Sequence, residues 1–489
     1  MGRKKCEDDS SGQRCKCHKE FSGPRCQQVC HSFAGAGLAW FPGLEVCQDN
    51  YLSIEILTEE LEGAILYNGP FVNPAPGESF VSDFILLELV SGQPRLLIDF
   101  GSGTVELKGT PELNDGKWHR IDLLWERDTV RMVVDFCNSV PKENEYRYNN
   151  TGSACDVFAT MPLFSERLNL NTPLQLGGIA GDQFDPDLFA WTHAPVGKPF
   201  KGYIQNLRLN SILIDLGNPA ISYNSYTGCS QIEALCNDGS GCGPHGDCDL
   251  NTSTCSCISG WTGQDCSVQT IPATFTKNSF IKYQSSSEVD YFNTEIQMRF
   301  RTRYDGELIR VAYGDTEKGF EVLEVDKGLL KYMYKPEFGE ERDVIIYNVY
   351  VDDGEWHMAK MTRYMSMITL SLDDGEGRRY NQTFQSPGYH NRDFGKPSNV
   401  YVGGKQEFNR LGFTTVISDF RGCMDGIQLN RQPLPYLPSK IMKSNKTNQY
   451  EAVAHQNVEE NCFSNNPCRH VRCPNPYICT DLWWEYKCT

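Results

Sequence analysis

The sequence predicts an all-β protein with two large antiparallel β-sandwiches of the jelly-roll type, which small disulfide-rich modules separate and flank. Short runs that alternate apolar and polar residues, such as "YLSIEIL" and "TVRMVVDF", end at Gly, Asp and Asn turn signals. Two long stretches repeat the same landmarks in the same order, without the strand–helix alternation of α/β proteins. The 21 cysteines lie mostly in clusters beside these stretches.

Length and charge limit the possible functions. A chain of 489 residues exceeds the roughly 100 to 200 residues of one domain, so several domains are expected. The formal net charge of −17 disfavours nucleic acid as a partner and makes broad binding to sulfated glycans unattractive. No stretch approaches the ~18 consecutive apolar residues of a membrane-spanning helix, so no membrane insertion is expected within this segment.

The clustered cysteines indicate an oxidising compartment, and we predict an extracellular, cell-surface location. Four N-x-Ser/Thr triplets agree with it and give the candidate glycosylation sites Asn149, Asn251, Asn381 and Asn445. The N-terminus "MGRKKCEDDS" lacks the apolar core of a secretory signal. We therefore expect that a signal lies upstream or that the chain is an internal piece.

Cysteine spacing predicts the small modules at residues 1–29, 232–267 and 464–489. The central one has the full pattern C-x5-C-x5-C-x6-C-x-C-x8-C, whose ending recurs in the first as "CKCHKEFSGPRC". The last supplies only the beginning of the pattern, "CRHVRCPNPYICTDLWWEYKC". The pattern resembles EGF-like modules, and no paired Cys/His arrangement typical of zinc accompanies it. The chain is thus expected to begin and end inside such modules, as a fragment or a truncated isoform.

The EGF resemblance implies a pairing, whereas six cysteines alone leave fifteen arrangements open. The implied disulfides are Cys17–Cys26, Cys236–Cys248, Cys242–Cys255, Cys257–Cys266, Cys468–Cys479 and Cys473–Cys488. The usual partners of Cys6 and Cys15 would precede Met1, so these two are expected to pair with each other or to remain reactive. The acidic entry of calcium-binding EGF modules is missing before Cys236, so we interpret the modules as spacers.

Residues 30–229 and 268–462 are predicted to form the two sandwiches. "LNDGKWHRIDLLW" in the first corresponds to "VDDGEWHMAKMTR" in the second, and "FKGYIQNLRLN" corresponds to "FRGCMDGIQLN". Each Asp-Gly pair predicts a tight hairpin turn before an inward-facing tryptophan. His119 and His357 follow these tryptophans, and a structural role is predicted because no nucleophile recurs beside them. As a set, the landmarks resemble laminin G-like domains.

The laminin G resemblance implies a calcium ion as a cofactor, at one rim of the first sandwich. Asp83, in "VSDFILLEL", matches the family's strand aspartate, and its alternative is a solvated residue at the strand end. The other candidate ligands are the carbonyl groups near Asp99 and Phe100 and the side chains of Asp156 or Asp182. In the second sandwich Lys318 and Gly319 fall at the matching position, so no site is expected there.

Three further disulfides are predicted in the sandwiches. They are Cys423–Cys462, which the laminin G resemblance implies, and the local pairs Cys30–Cys47 and Cys137–Cys155. Cys229 lies at the same end of its sandwich as Cys462, but its partner position holds Tyr203. Cys229 is therefore predicted to be unpaired, and the first sandwich is still expected to fold because a long domain buries a large core.

Longer segments narrow the resemblance further. "GLAWFPGLEVCQDNYLSIEI", "LLIDFGSGTVEL" and "CPNPYICTDLW" resemble the membrane-proximal extracellular region of invertebrate neural cadherins, and Tyr203 suggests a divergent paralogue. The resemblance implies a single-pass parent protein with calcium-dependent homophilic adhesion and a role in axon patterning. Its homophilic partner and its catenins would bind through regions outside this chain, and no enzymatic activity is expected. The alternative is a neurexin-like or matrix module that binds a protein or glycan ligand.

Overall fold

The structure is a computed structural model that describes residues 4–9, 12–17, 21, 28–46, 49–70, 83–101, 103–126, 129–137, 152–153, 155–161, 168, 170, 172–180, 189, 191–229, 241–249, 254–285, 293–314, 316–337, 340–364, 367–385, 397–408, 414–437, 450–463, 467–483 and 486–488. Nearly all regular structure in these residues is β-strand, which confirms the predicted all-β class. An N-terminal hairpin of β1 (Lys4–Asp9) and β2 (Gly12–Cys17) places the backbone of Cys6 opposite that of Cys15.

The first sandwich is a continuous antiparallel ladder that folds over on itself. Its strands are β3 (His31–Phe41), β4 (Asn50–Leu57), β5 (Gly63–Asn68), β6 (Phe84–Val90), β7 (Gln93–Asp99), β8 (Thr104–Lys108), β9 (Trp118–Trp125), β10 (Thr129–Val134), β11 (Gly152–Ser153), β12 (Asp156–Thr160), β13 (Leu174–Leu176), β14 (Lys201–Leu209), β15 (Ile212–Leu213) and β16 (Ile221–Thr227). Strand β3 crosses between the layers, because its first half pairs with β14 and its second half with β13. Gly35, with φ of 89°, lies between these halves, where glycine tolerates the left-handed backbone.

The second sandwich repeats this design. Its strands are β21 (Ala273–Ser285), β22 (Asn293–Thr302), β23 (Gly306–Tyr313), β24 (Gly319–Asp326), β25 (Leu329–Lys335), β26 (Arg342–Tyr350), β27 (His357–Tyr364), β28 (Met367–Leu372), β29 (Asn381–Gln385), β30 (Pro397–Val402), β31 (Lys405–Phe408), β32 (Thr414–Ile417), β33 (Gly422–Leu429), β34 (Gln432–Pro433) and β35 (Tyr450–Glu460). Strand β21 makes the same crossing as β3, since it pairs with β33 at its start and with β30 towards its end. The two jelly-roll-like sandwiches predicted from the repeated landmarks are therefore confirmed.

The small modules are short hairpins held by disulfides. They contain β17 (Gly246–Asp249), β18 (Thr254–Cys257), β19 (Trp261–Thr262), β20 (Val268–Gln269), β36 (Cys479–Asp481) and β37 (Tyr486–Cys488), with 3₁₀ turns at Gly243–His245 and Pro467–Arg469. The bonded pairs in these modules are Cys242–Cys255, Cys257–Cys266, Cys468–Cys479 and Cys473–Cys488, each as predicted. Cys26 and Cys236 lie outside the described residues, and with them the predicted pairs to Cys17 and Cys248.

Each sandwich closes over its own apolar core, which follows from the two-residue period of its strands. In β4, Leu52, Ile54 and Ile56 are completely buried, and the first two lie directly opposite Leu123 and Ile121 of β9. The residues between these core positions point to the opposite face of the strand, where they are exposed to solvent or covered by other residues. The core of the second sandwich is assembled in the same way from β21 to β35.

At one pair of fully buried positions, the first sandwich has apolar side chains and the second has charged ones. Counted back from the turns Ser91–Gly92 and Lys327–Gly328, Ile85 corresponds to Glu321. Counted from the two histidines, Trp125 corresponds to Arg363. All four side chains are 0% exposed, so an apolar pair in the first sandwich is replaced by an ion pair in the second.

The buried ion pair has several partners. The Nε of Arg363 donates to Glu321 Oε1 at 2.7 Å, and its Nη2 donates to the Thr294 hydroxyl at 3.0 Å. The Tyr313 hydroxyl donates to the same Glu321 oxygen at 2.7 Å. This network links β24 and β27 through the interior of the sandwich.

The disulfide that closes the first sandwich joins Cys30 to Cys229. The prediction that Cys229 is unpaired and that Cys30 bonds Cys47 is therefore wrong. In the second sandwich, Cys462 bonds Cys423 as predicted. The strand registers make Cys229 the counterpart of Cys462, whereas Cys30 corresponds to a position just before β21. The bond has thus been kept, but its partner has moved from the closing motif, where Tyr203 stands, to the entry of the domain.

The predicted pair Cys137–Cys155 is present in the first sandwich. Cys137 ends a turn at Asp135–Cys137, and Cys155 comes just before β12. Cys47 lies outside the described residues. Within the part of the chain that the structure describes, no helix is long and apolar enough to cross a membrane.

Candidate functional site

The two histidines of the repeated landmarks bridge pairs of aspartates. His119 lies 2.9 Å from Asp115 through Nε2 and 2.6 Å from Asp135 through Nδ1. His357 lies 3.1 Å from Asp353 and 2.9 Å from Asp373 in the same arrangement. Because each ring nitrogen faces a carboxylate, the imidazolium form donates to both. The bridge fastens the Asp-Gly turn to the residue that directly follows β10 in the first sandwich and β28 in the second, which is a structural role.

The bridge affects the pKa of both rings. Burial alone would lower the pKa of His357, but the hydrogen bonds to Asp353 and Asp373 outweigh it and raise the pKa to about 10. The pKa of His119 is raised for the same reasons. His357 is therefore cationic at neutral pH, and the bridge shifts the pKa of His119 in the same direction.

The stability of the second sandwich should fall as the solution becomes alkaline. The pKa of His357 is about 10 in the folded chain and about 6.5 in the unfolded one, so its contribution is complete below about pH 6.5 and is lost as pH rises through 10. His357→Gln should remove on the order of 3 kcal/mol near pH 6 and should flatten this pH dependence. Hydrogen–deuterium exchange of β27 in the full chain, corrected for intrinsic exchange rates at each pH, measures this pH-dependent stability.

His119→Gln is the matched control for this prediction. It should flatten the pH dependence of β9 in the first sandwich and leave that of residues 357–361 in β27, away from Tyr364, unchanged. If β27 in the unmodified chain and in His357→Gln showed the same slope between about pH 6 and about pH 10, the bridge would not carry this stability.

The predicted calcium ligands are only partly brought together. Asp83 directly precedes β6, next to Phe84, which pairs with Asp99. The carboxylate of Asp99 accepts the Gly101 amide at 2.7 Å and the Thr104 hydroxyl at 2.8 Å, so its own turn occupies it.

Of the two candidate second-loop ligands, only Asp156 lies within the described residues, and its carboxylate is engaged elsewhere. Asp156 forms a two-point ion pair with Arg131, at 2.7 and 2.5 Å, and Asp182 is outside the described residues. The described residues contain no group of three or more His, Cys, Asp or Glu side chains that could hold a metal ion. The calcium site therefore stays a prediction, with Asp83 as its strand ligand and the carbonyl groups near Asp99 beside it.

At the matching corner of the second sandwich, a lysine ammonium stands beside a carboxylate. Glu317 lies 3.0 Å from Lys405 Nζ and accepts from Asn399 Nδ2 at 2.7 Å and from the Tyr401 hydroxyl at 2.9 Å. Burial raises the pKa of Glu317, but these hydrogen bonds and the ammonium outweigh it and lower the pKa. The positive charge at this corner, next to Lys318, is therefore the ammonium group of Lys405.

One of the four candidate glycosylation sites is hidden by the fold. Asn381 is 8% exposed, and its Nδ2 donates to the Gly375 carbonyl at 2.5 Å. A glycan on this nitrogen would have to open the turn before β29. Asn149, Asn251 and Asn445 lie outside the described residues.

The central small module docks on the second sandwich. The Ser259 hydroxyl donates to the Gly426 carbonyl at 2.9 Å, and Gln428 Nε2 donates to the Cys257 carbonyl at 3.0 Å. A Cβ on Gly426 would lie 2.7 Å from the Gly260 nitrogen. Glycine at position 426 therefore permits the close approach of the two modules.

The C-terminal module docks on the same sandwich at a different place, the Asp353–Gly354 turn. Arg303 Nε donates to the Leu482 carbonyl at 3.0 Å, and a Cβ on Gly354 would lie 1.9 Å from that oxygen. Trp483 is 4% exposed and donates from Nε1 to the Phe463 carbonyl at 3.0 Å. The Asp-Gly turn therefore helps to dock the next module.

The predicted hairpin at this Asp-Gly turn is wrong, because β26 before it pairs with β25 and β27 after it pairs with β22 and β28. Trp118 and Trp356, predicted to face inwards, are only half-buried, and the histidines that follow them are buried instead.

The two sandwiches touch each other directly. The Tyr364 hydroxyl donates to Cys137 Sγ at 2.7 Å, and the Tyr364 ring lies 6.3 Å from that of Phe136. A second contact joins Arg208 Nη2 to Asp374 Oδ1 at 3.1 Å. We call this whole contact the inter-sandwich contact; sequence reasoning did not find it.

Comparison with known proteins agrees with the landmarks. The laminin G domain family matches residues 56–212 and 300–432. "Neural-cadherin" of Drosophila melanogaster is 44% identical over 99% of this chain and 16% of its own length, and "Putative neural-cadherin 2" is 42% identical over 99% of this chain and 28% of its own length. The human "Cadherin EGF LAG seven-pass G-type receptor 1" is 24% identical over 98% of this chain and 16% of its own length.

These full-chain matches agree with the cysteine framework and with the two sandwiches. The chain spans less than a third of the length of each of these relatives. It therefore belongs to the laminin G domain family and corresponds to a neural-cadherin region that carries two such domains.

Proposed function

We propose that the chain is a non-enzymatic, membrane-proximal spacer of a neural-cadherin-type adhesion protein. Calcium-dependent homophilic binding would then take place through parts of the parent protein outside this segment, and catenins would bind its cytoplasmic tail. The observation that carries the proposal is the docking of both neighbouring small modules on the second sandwich. The family matches support the adhesion-protein context.

The docking contacts favour a stiff spacer over a flexible string of domains. Domains within one chain move relative to one another by default unless they share a well-packed interface. Here Gly426 and Gly354 allow backbone-to-backbone approach at two different faces, and Trp483 is buried at one of them. In this proposal the EGF-like modules act as fixed joints.

The inter-sandwich contact extends the same design towards the N-terminus. Tyr364 of the second sandwich is fully buried against the first. The landmark histidines are both occupied by structural bridges, which agrees with a mechanical role. The spacer would position the adhesive repeats at a set height above the membrane.

Bead aggregation tests the proposal. Beads coated with the purified 489-residue chain should stay dispersed with and without calcium, whereas beads coated with the full parent ectodomain should aggregate only with calcium. Aggregation of the beads that carry the chain alone would overturn the spacer proposal. Retention of a soluble protein or glycan by dispersed beads would instead favour a ligand-binding module.

A further inference from the structure

We propose that the disulfide-closed turn of the first sandwich is a socket for Tyr364, and that this socket locks the two sandwiches together only while the Cys137–Cys155 bond is oxidised. The inference rests on the proposed spacer function and deepens it, because it names the contact that fixes the angle between the sandwiches. It also names the chemical change that would release them.

Tyr364 points away from the core of its own sandwich. It ends β27 next to Arg363, and neighbouring strand residues face opposite sides. Arg363 lies in the interior, so Tyr364 lies on the outer face, yet it is 0% exposed. The surface that covers Tyr364 includes Val133, Cys137 and Cys155 of the first sandwich.

The fit of this side chain is both apolar and polar. Its hydroxyl is 2.7 Å from Cys137 Sγ and 4.0 Å from Cys155 Sγ, so it sits over the disulfide itself. The Phe136 ring packs beside it. Burying a large aromatic side chain contributes about 2 kcal/mol, which is enough to bias the angle between two tethered domains.

A second point of contact prevents rotation about Tyr364. Arg208 and Asp374 form an ion pair at 3.1 Å in which both side chains are less than one-fifth exposed. Beside it, the Gly377 amide donates to the Ser211 carbonyl at 3.2 Å. Two separate contacts fix the relative orientation of the two sandwiches, whereas a single contact would still allow rotation about it.

The socket depends on the disulfide because its turn is strained. Asp135, Phe136 and Cys137 have consecutive φ values of 51°, 48° and 59°, a left-handed conformation that disfavours residues other than glycine. Such residues cost roughly 1 to 3 kcal/mol each and persist only where the surroundings hold them. The bond to Cys155 holds one end of the turn, and the His119 bridge to Asp135 holds the other.

Reduction would remove the first of these restraints. A dithiol supplies two electrons, the S–S bond breaks, Cys137 and Cys155 each become a thiol, and the dithiol closes to its own disulfide. Cys137 is 5% exposed and Cys155 is 1% exposed, so Tyr364 shields the bond from attack. Release of Tyr364 and reduction of the bond should therefore favour each other.

Peptide-resolved thiol labelling of the full chain tests this coupling. Under native conditions, a short pulse of dithiothreitol followed by alkylation should label Cys137 and Cys155 at least tenfold faster in Tyr364→Ala than in the unmodified chain. Tyr347→Ala is the matched control, since that tyrosine of the same sandwich is 56% exposed. It should label at the unmodified rate, and Cys423 and Cys462 should stay protected in all three proteins.

Small-angle X-ray scattering reads out the orientation. Tyr364→Ala, Asp374→Asn and the unmodified chain reduced at Cys137–Cys155 should each show a broader distance distribution, whereas Tyr364→Phe should resemble the unmodified chain. Asp374→Asn changes a turn residue outside the core of either sandwich, so it tests the lock even if Tyr364→Ala disturbs the fold. Unchanged labelling rates together with unchanged scattering in these variants would overturn the proposal. That result would leave the spacer function standing, because bead aggregation decides the spacer function separately.

Discussion

Arg363→Met should lower the unfolding free energy of the second sandwich by about 3 to 5 kcal/mol, because it leaves the Glu321 carboxylate buried without its counter-charge. Both side chains are 0% exposed, so water cannot take the place of the missing guanidinium. Hydrogen–deuterium exchange of β24 and β27 in the full chain would measure the loss. Lys201→Met is the control, since its partner Glu60 is 46% exposed and a surface ion pair contributes only about 0 to 1 kcal/mol.

The corresponding residues of the first sandwich indicate a double substitution that should partly compensate for the loss of Arg363. Glu321→Ile combined with Arg363→Trp copies Ile85 and Trp125, and it should recover part of the loss because well-packed apolar residues can replace a buried ion pair. Recovery should be incomplete, since the Tyr313 hydroxyl loses its acceptor at a cost of about 1 to 3 kcal/mol. A stable Arg363→Met single variant would contradict this account, and so would a double variant no more stable than the single one.

Cys30→Ser combined with Cys229→Ser should destabilise the first sandwich by roughly 5 kcal/mol. The two residues are 199 positions apart, and in the chain-entropy model a closed loop of that length contributes about this amount. The variant should still unfold cooperatively, because the core formed by β3 to β16 does not depend on the bond. Denaturant unfolding of the full chain, followed by exchange of β4 and β9, measures the effect.

The second sandwich provides the comparison for this variant. Cys423→Ser with Cys462→Ser removes a loop of 39 residues, so it should cost roughly 4 kcal/mol there and leave β4 and β9 unchanged. In the unreduced native chain, alkylating reagents should not label Cys229. Labelling of Cys229, or equal stability with and without Cys30 and Cys229, would show that the closing bond is not the one described.

The sequence predicts the sandwiches well because their landmarks are local. The alternating strands need only their neighbours. The Asp-Gly pairs before β9 and β27 mark the starts of these strands, but they do not form the predicted hairpins, because β9 and β27 pair with strands that are not adjacent across those turns. The Cys30–Cys229 bond could not be found in this way, since the two cysteines approach only after β16 has aligned with β3. The shorter spacing to Cys47 was the misleading signal.

The buried ion pair shows a different limit. His357, Ala359, Met361 and Arg363 alternate along β27, so their spacing places Arg363 on the core face. A charged residue at the end of a strand is usually solvated, however, and Glu321 is 42 positions away. The Tyr364 socket has even less local signature, because it joins surfaces of two separate domains. Contacts of this kind follow from how domains dock, which no strand pattern encodes.

The position of the Cys30–Cys229 bond also has a mechanical consequence. The chain enters the first sandwich at one of these residues and leaves it at the other, and their Cα atoms are 5.7 Å apart. Tension applied along a cell-surface chain would cross this covalent bridge and would not load the strands between the two cysteines. In the second sandwich, Cys423–Cys462 encloses only the final strands. A pull that enters at Ala273 therefore acts on the hydrogen bonds of β21 to β33 and β35 from the end where these strands meet, and it opens them one after another. Under force, the first sandwich therefore keeps its shape, and the second is the one that can yield.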